Sequence, residues 1–245
     1  MSEDLGQAPQ LEISGGVARI VLARPRQHNR LDPDDTAVLA AHVESIVGDA
    51  TVRVVVITGS GEKTFSAGYN VATIVGNLDD RFEKMLDAVE NIAVPTVCAL
   101  NGGAYGGATD LALACDFRIG VTGSRMFMPA ARFGLRYYPG GLRRYFTRLG
   151  LNQAKKLFLT GMAIDAEEMK RIGFLTELVE PDQLQATVQS YVAAILECEP
   201  VALRSLKTHL NALADGRFDA SRAAHDYIES VNSDTLRERL AARGK

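Results

Sequence analysis

Two glycine-centred segments of the chain have the composition to place backbone donors around a reacting oxygen. Phe65-Ser66-Ala67-Gly68-Tyr69-Asn70 follows a β-patterned run ending at Thr58-Gly59. Asn101-Gly102-Gly103-Ala104-Tyr105-Gly106-Gly107 follows a second such run and opens into the helix-like stretch Ala108 to Cys115. Each reads as a tight turn; each can equally aim N–H groups into a cleft, where a helix N-terminus adds partial positive charge and an oxyanion would be stabilised. Downstream of the second segment lies Asp110, which as a first-turn acid could simply bond backbone N–H groups. Tyr137 and Tyr138 directly precede Pro139-Gly140-Gly141. A phenol there could donate a hydrogen bond or a proton to a developing enolate, or pack with its hydroxyl in water.

The elements that must hold these segments follow from pattern. Leu-Glu-Ile-Ser and Val-Ala-Arg-Ile-Val-Leu flank Gly15-Gly16, which predicts a hairpin with a two-residue turn. Asp32-Pro33-Asp34-Asp35 supplies an N-cap, a first-position proline and first-turn acids for a helix reaching about Val47. Its apolar residues Leu39, Val43, Ile46 and Val47 recur at helical spacing, committing one face to a core. Val52 to Thr58 is a nearly continuous β-branched run, the pattern of a strand covered on both faces. The pattern returns at Pro95 to Leu100, at Phe117 to Val121 and more weakly at Leu175 to Val179, so a wound α/β arrangement is expected. From Ala163 the chain turns helical, with Asp165 and Glu168 spaced as a capping box. Three domains of unequal weight are expected: a mobile arm over 1–10, a core over 11–195 and a helical region over 196–245.

Composition excludes several function classes. With 245 residues, 47% apolar and 23% charged, the chain can bury a sizeable core. A net charge of −3 excludes a globally basic nucleic-acid binder. Apolar runs are strand-sized, well short of the ~18 residues a membrane span needs, and the opening Met1-Ser2-Glu3-Asp4 has no signal-peptide pattern. Cys98, Cys115 and Cys198 form no CxxC pair, and His28, His42, His209 and His225 lack metal spacing. A cytoplasmic protein without metal is expected. Gly59-Ser60-Gly61-Glu62-Lys63-Thr64 interposes a glutamate where a phosphate-binding loop needs lysine, and the second glycine segment does not match GxGxxG.

In their order the motifs resemble the enoyl-CoA hydratase/isomerase (crotonase) superfamily along nearly the whole chain. The matching run is Arg24-Pro25 with Asn29, Phe65-Ser66-Ala67-Gly68, Asn101-Gly102 with its double glycine, Leu111-Ala112-Leu113-Ala114-Cys115-Asp116, Gly134-Leu135, Pro139-Gly140-Gly141, Arg148-Leu149-Gly150 and Leu159-Thr160-Gly161. The resemblance implies a spiral of ββα units, a C-terminal helical region that makes a homotrimer or a dimer of trimers, and a coenzyme A thioester as substrate with no other cofactor. It implies that the backbone N–H groups of Tyr69 and Gly107 form an oxyanion hole. Ala67, Gly68, Arg24, Arg132 and Arg136 become expected substrate-binding residues, with Asp110 and Tyr137 the expected catalytic ones.

The sequence departs from the family's hydratases where they use two glutamates. The first position is Asp110, one methylene shorter and expected to face inward; the second is Ala130, which cannot do acid/base work. From Phe117 to Ile164 there is no Asp or Glu, while nine Arg and Lys residues occur, so no neighbour in that segment replaces the glutamate. Those cations read as a solvated basic surface or, for Arg132 and Arg136, as an attraction for coenzyme A phosphates or an acyl carboxylate. Tyr137 lies, by its spacing from Gly134, where a decarboxylating member of the superfamily carries an active-site tyrosine. The leading expectation is a lyase of the enoyl-CoA hydratase type, hydrating a 2-enoyl-CoA through Asp110 alone. The alternatives are a decarboxylase of a malonyl-type acyl-CoA and a non-catalytic acyl-CoA-binding protein.

Overall fold

The computed structural model describes residues 6–77 and 79–243. Two compact units divide at Glu197/Cys198, because the last helix of the first unit runs on to Glu197. Of the expected ten-residue arm, Met1–Leu5 lie outside the described residues. Gly6–Gln10 are tied down: Gln7 N donates to Ala23 O at 2.9 Å, and His42 Nε2 bonds Pro9 O at 2.8 Å.

The first unit winds the chain between two sheets. Strands β1 (Gln10–Ser14) and β2 (Val17–Leu22) pair antiparallel across the Gly15-Gly16 turn, where both glycines adopt positive φ. Strands β3 (Val54–Gly59), β5 (Thr96–Leu100), β7 (Phe117–Val121) and β10 (Glu177–Val179) join β2 in parallel, giving the order β1-β2-β3-β5-β7-β10. Every residue of β3 and β5 is buried, as their β-branched runs require. A second sheet is built from β4 (Thr64–Ser66), β6 (Gly103–Tyr105), β8 (Arg125–Phe127) and β9 (Ile164–Asp165). These two- and three-residue strands carry too little periodicity to be read from sequence; β4 overlaps the first segment expected to be a turn, and β6 lies inside the second.

Helices follow the strand pairs: α1 (Pro33–Gly48) after β1 and β2, α3 (Asp80–Glu90) after β3 and β4, α4 (Gly107–Ala114) after β5 and β6. Between β4 and α3 lies α2 (Ile74–Asn77), a single turn broken by Gly76 at φ 82°. After β8 come α5 (Pro139–Leu149) and α6 (Leu151–Thr160), then α7 (Ala166–Arg171) and α8 (Leu184–Glu197). The Asp32 capping box expected for α1 is present, and the Asp165 carboxylate caps α7 through Glu168 N at 2.9 Å. After the opening hairpin, whose two strands both join the large sheet, the pairs β3–β4, β5–β6 and β7–β8 each lay one strand in the large sheet and one in the small sheet before the chain turns helical.

The second unit is helical. α9 (Pro200–Ala214), α10 (Ala220–Asn232) and α11 (Asp234–Arg243) are punctuated by Asp215-Gly216 and Ser233. Asp226 holds α9 to α10, accepting from Ser205 Oγ at 3.0 Å and bonding His209 Nε2 at 2.9 Å. No helix among the described residues is long and apolar enough to cross a membrane.

Candidate functional site

The two glycine segments meet. Asn29, fully buried and left-handed at φ 52°, ties the first loop down: its Nδ2 donates to Ser60 O and Thr64 O, both at 2.9 Å. That anchor sets Leu31 beside Tyr69 in an isolated parallel bridge, with Leu31 N donating to Gly68 O at 2.9 Å and Asn70 N to Leu31 O at 2.8 Å. In such a bridge the N–H of the bridged residue itself, here Tyr69, points to the opposite side. There lies Gly107, the first residue of α4, whose N–H stands among those an α-helix cannot satisfy internally. A β-carbon on Gly107 would sit 3.5 Å from Tyr69 N. The approach depends on Gly68, at φ 79°: a β-carbon there would be 2.3 Å from Tyr105 O and 2.8 Å from Gly107 N. The sequence therefore places two backbone donors side by side at one end of a cavity.

That cavity, about 160 Å³, opens between the loop after β4, α3, β6 and the loop after β8. Ala67, Tyr69, Gly106 and Gly107 line it, together with Ala130, Tyr137 and Tyr138. Of the residues expected at the site, Gly68, Asp110, Arg24, Arg132 and Arg136 do not line it. Arg24 turns back to Asp35, with both Nε and Nη2 at 3.1 Å from the carboxylate. Arg132 lies over Gly161 and donates from Nε and Nη2 to Thr160 O at 3.2 Å. Arg136 is exposed. None of these three arginines therefore contributes to the cavity wall.

Asp110 faces inward as expected, but behind the wall. Its side chain is fully buried and its oxygens are taken: Arg144 Nε reaches Oδ1 at 2.7 Å, Arg144 Nη2 reaches Oδ2 at 3.2 Å, and Tyr138 Oη donates to Oδ2 at 2.5 Å. Tyr137 Oη stands 3.4 Å from Oδ2 and 3.0 Å from Tyr138 Oη, the two rings stacked at 4.2 Å between centroids. The phenols are therefore what the cavity meets, and the carboxylate is what the phenols meet. Asp110 is thus separated from the cavity by the two phenols. Burial, reinforced by the charge of Asp110, pushes both phenols well above the usual range, so both hydroxyls keep their protons.

Arg144 went unnoticed in the sequence because it sits in a run of cations that reads as a basic surface. In the structure it is fully buried and also bonds Asp87 at 2.6 Å and Glu90 at 3.0 Å, both on α3. Burial alone would lower its pKa; the three carboxylates outweigh that and hold it protonated. Arg143 and Arg148 also reach Glu90, and Arg118 is buried against the carbonyls of Phe174 and Cys115. Lys156 pairs with Glu168. Much of the expected basic surface is thus turned inward onto carboxylates or carbonyls from elsewhere in the chain. Cys98 and Cys115 are buried free thiols, and no cluster of potential metal ligands occurs among the described residues.

Comparison with known proteins agrees with this architecture. The family model described as enoyl-CoA hydratase/isomerase matches residues 12–238. The short-chain-enoyl-CoA hydratase of Clostridium acetobutylicum is 31% identical over 208 residues, 82% of this chain and 80% of that protein. The crotonyl-CoA hydratase of Syntrophomonas wolfei is 31% identical over 211 residues, again 82% and 80%. The crystal structure of an enoyl-CoA hydratase from Bacillus anthracis superposes with a TM-score of 0.86 at 27% identity, covering 97% of this chain and 96% of that one. A spiral of strand pairs and helices, two glycine turns meeting at the head of α4 and a match spanning nearly every element place this chain in the enoyl-CoA hydratase/isomerase family.

Proposed function

We propose that the protein is a hydratase-type acyl-CoA enzyme in which Asp110 works through the phenols of Tyr137 and Tyr138. The observation that carries the reading is the hydrogen-bonded line from the cavity wall to a buried carboxylate, Tyr137 Oη to Tyr138 Oη at 3.0 Å and Tyr138 Oη to Asp110 Oδ2 at 2.5 Å. The thioester oxygen lies between the N–H groups of Tyr69 and Gly107, and Ala67 and Gly68 shape that end of the site. Water adds to the β-carbon of a 2-enoyl thioester, and the electron pair moves onto the thioester oxygen. The water's proton passes to a phenol oxygen while that phenol's own proton moves on toward Asp110. Return of a proton along the same line to the α-carbon collapses the enolate and completes the addition. Because burial disfavours a free phenolate, each phenol gains one proton as it loses another. When Asp110 becomes neutral, Arg144 keeps Asp87 and Glu90 as counter-charges.

Coenzyme A enters as part of the substrate, and no other cofactor is needed. Exposed apolar residues on the helices of the second unit, among them Leu206, Leu210, Tyr227 and Ile228, support assembly into trimers or dimers of trimers. The strand-sized apolar runs of the sequence support a cytoplasmic setting.

The test is single-turnover loss of the conjugated enoyl absorbance from a short enoyl-CoA, with Asp110→Asn and Tyr138→Phe alongside. Wild-type turnover that falls about 10²–10⁴-fold in both variants supports the relay. Undiminished turnover in Tyr138→Phe would overturn it. Carbon dioxide released from a malonyl-type thioester, with no hydration, would favour the decarboxylase reading, which needs no base and is compatible with Ala130 in the cavity wall. Saturable binding without either reaction would leave an acyl-CoA-binding protein.

A further inference from the structure

We propose that the acyl group taken by this site is an uncharged aryl group, presented as a 3-arylpropenoyl thioester or its 3-hydroxy counterpart. The proposal rests on the preceding reading of the cavity as an acyl-thioester site and names the class of acyl group. Aromatic residues make up 7% of the chain, yet seven of the sixteen residues lining the cavity are Phe or Tyr. Among the described residues, no Asp, Glu, Lys, Arg or His lines it. A substrate carboxylate would enter this space without a counter-charge, which is costly in an apolar setting. The volume of about 160 Å³ is close to that of an apolar protein cavity, about 150 Å³, known to hold one benzene.

The rings are arranged to receive another ring. On one side Phe82 meets Tyr69 edge-on, with centroids 5.2 Å apart and planes at 68°, and Tyr138 likewise at 6.3 Å and 77°. Across the site Tyr105 and Phe127 from the second sheet stand 5.1 Å apart at 43°. Such walls offer both edges and faces, the contacts a planar aromatic group completes and a flexible alkyl chain does not. The hydroxyls of Tyr137 and Tyr138 are directed to each other and to Asp110. Ala130 contributes only a methyl group to the wall, which clears room for a bulky β-substituent.

The experiment uses the full chain and two readouts. Calorimetric titration with the saturated thioesters 3-phenylpropanoyl-CoA and hexanoyl-CoA is expected to give about tenfold tighter binding of the phenyl compound, the gain of one or two ring contacts. Malonyl-CoA is expected to bind weaker than either. Because hydration of an arylpropenoyl thioester sacrifices conjugation with the ring, the reaction is followed in reverse. In that direction 3-hydroxy-3-phenylpropanoyl-CoA loses its α-proton and its hydroxyl as water, and the arylpropenoyl absorbance appears. Phe127→Leu is expected to erase the preference for the phenyl compound, because it removes an aromatic face from the wall and weakens the phenyl compound more than hexanoyl-CoA. Should that variant fail to fold, Phe133→Leu at the exposed cavity mouth tests the same preference. Hexanoyl-CoA bound as tightly as or tighter than the phenyl compound would overturn the aryl assignment alone. Failure of every thioester to bind would overturn the acyl-thioester reading and this proposal with it.

Discussion

Asp110 and Arg144 face each other as a two-pronged ion pair, Nε to Oδ1 at 2.7 Å and Nη2 to Oδ2 at 3.2 Å, with both side chains fully excluded from solvent. Removing one partner of such a pair leaves a buried charge uncompensated, at a cost of about 3–5 kcal/mol. Arg144→Met is therefore expected to lower unfolding stability by that order in urea melts. Adding Asp110→Asn to it should cost less than the sum of the two single changes, because the second change removes the charge that the first stranded. Strict additivity would show that the two side chains do not interact.

The two phenols differ in rank. Tyr138 touches Asp110 directly, whereas Tyr137 reaches it chiefly by way of Tyr138. Tyr138→Phe is expected to reduce kcat on an enoyl-CoA by about 10²–10⁴-fold with KM little changed. Tyr137→Phe should reduce kcat less, since Tyr138 still joins the cavity to the carboxylate. Steady-state kinetics of both variants, each checked for native circular dichroism, decides the order.

Gly68→Ala is expected to abolish thioester turnover and to destabilise the fold by about 1–3 kcal/mol. The new methyl would strike Tyr105 O and Gly107 N, and the backbone is held at φ 79°. Gly134→Ala is the control: its φ of 72° is similar, but a β-carbon there meets nothing within 4 Å. It should show only the backbone penalty, about 1 kcal/mol, with turnover retained. Equal losses of activity in the two variants would count against the packed approach of the two glycine turns.

Acid and alkali should each weaken the fold through identified groups. Burial would raise the Glu90 carboxyl, but Arg143 and Arg144 outweigh it and hold Glu90 below its ordinary value of 4.5. Below about that pH the unfolded chain takes up a proton that the folded chain resists, so the stability Glu90 contributes is present above it and is lost as pH falls. The Tyr137 and Tyr138 phenols, raised above 10.0, act at the other end. Above that pH the unfolded chain releases protons that the folded chain keeps, so stability falls as pH rises. Thermal melts across pH should show both slopes, with the acid slope shallower in Glu90→Gln and the alkaline slope shallower in Tyr138→Phe.

Much of the architecture is legible in the chain because burial on both faces imposes a local signature. The β-branched runs of β3, β5 and β7, the Gly15-Gly16 hairpin and the Asp32 cap all declare themselves within a few residues. The glycine turns and the family likeness are local too, since close backbone approach demands glycine at fixed positions such as Gly68. What the sequence leaves open is which charges meet. Arg144, Asp110, Asp87 and Glu90 lie up to 57 positions apart, and only the packing of α5 across α3 and α4 makes them one buried network. The same packing turns an apparent basic surface inward, withdraws Asp110 behind two phenols and leaves the cavity lined with rings. Local pattern decides which segments become strands, turns and helices. The chemistry of the site depends on distances between residues remote in sequence, and those exist only once the spiral has closed.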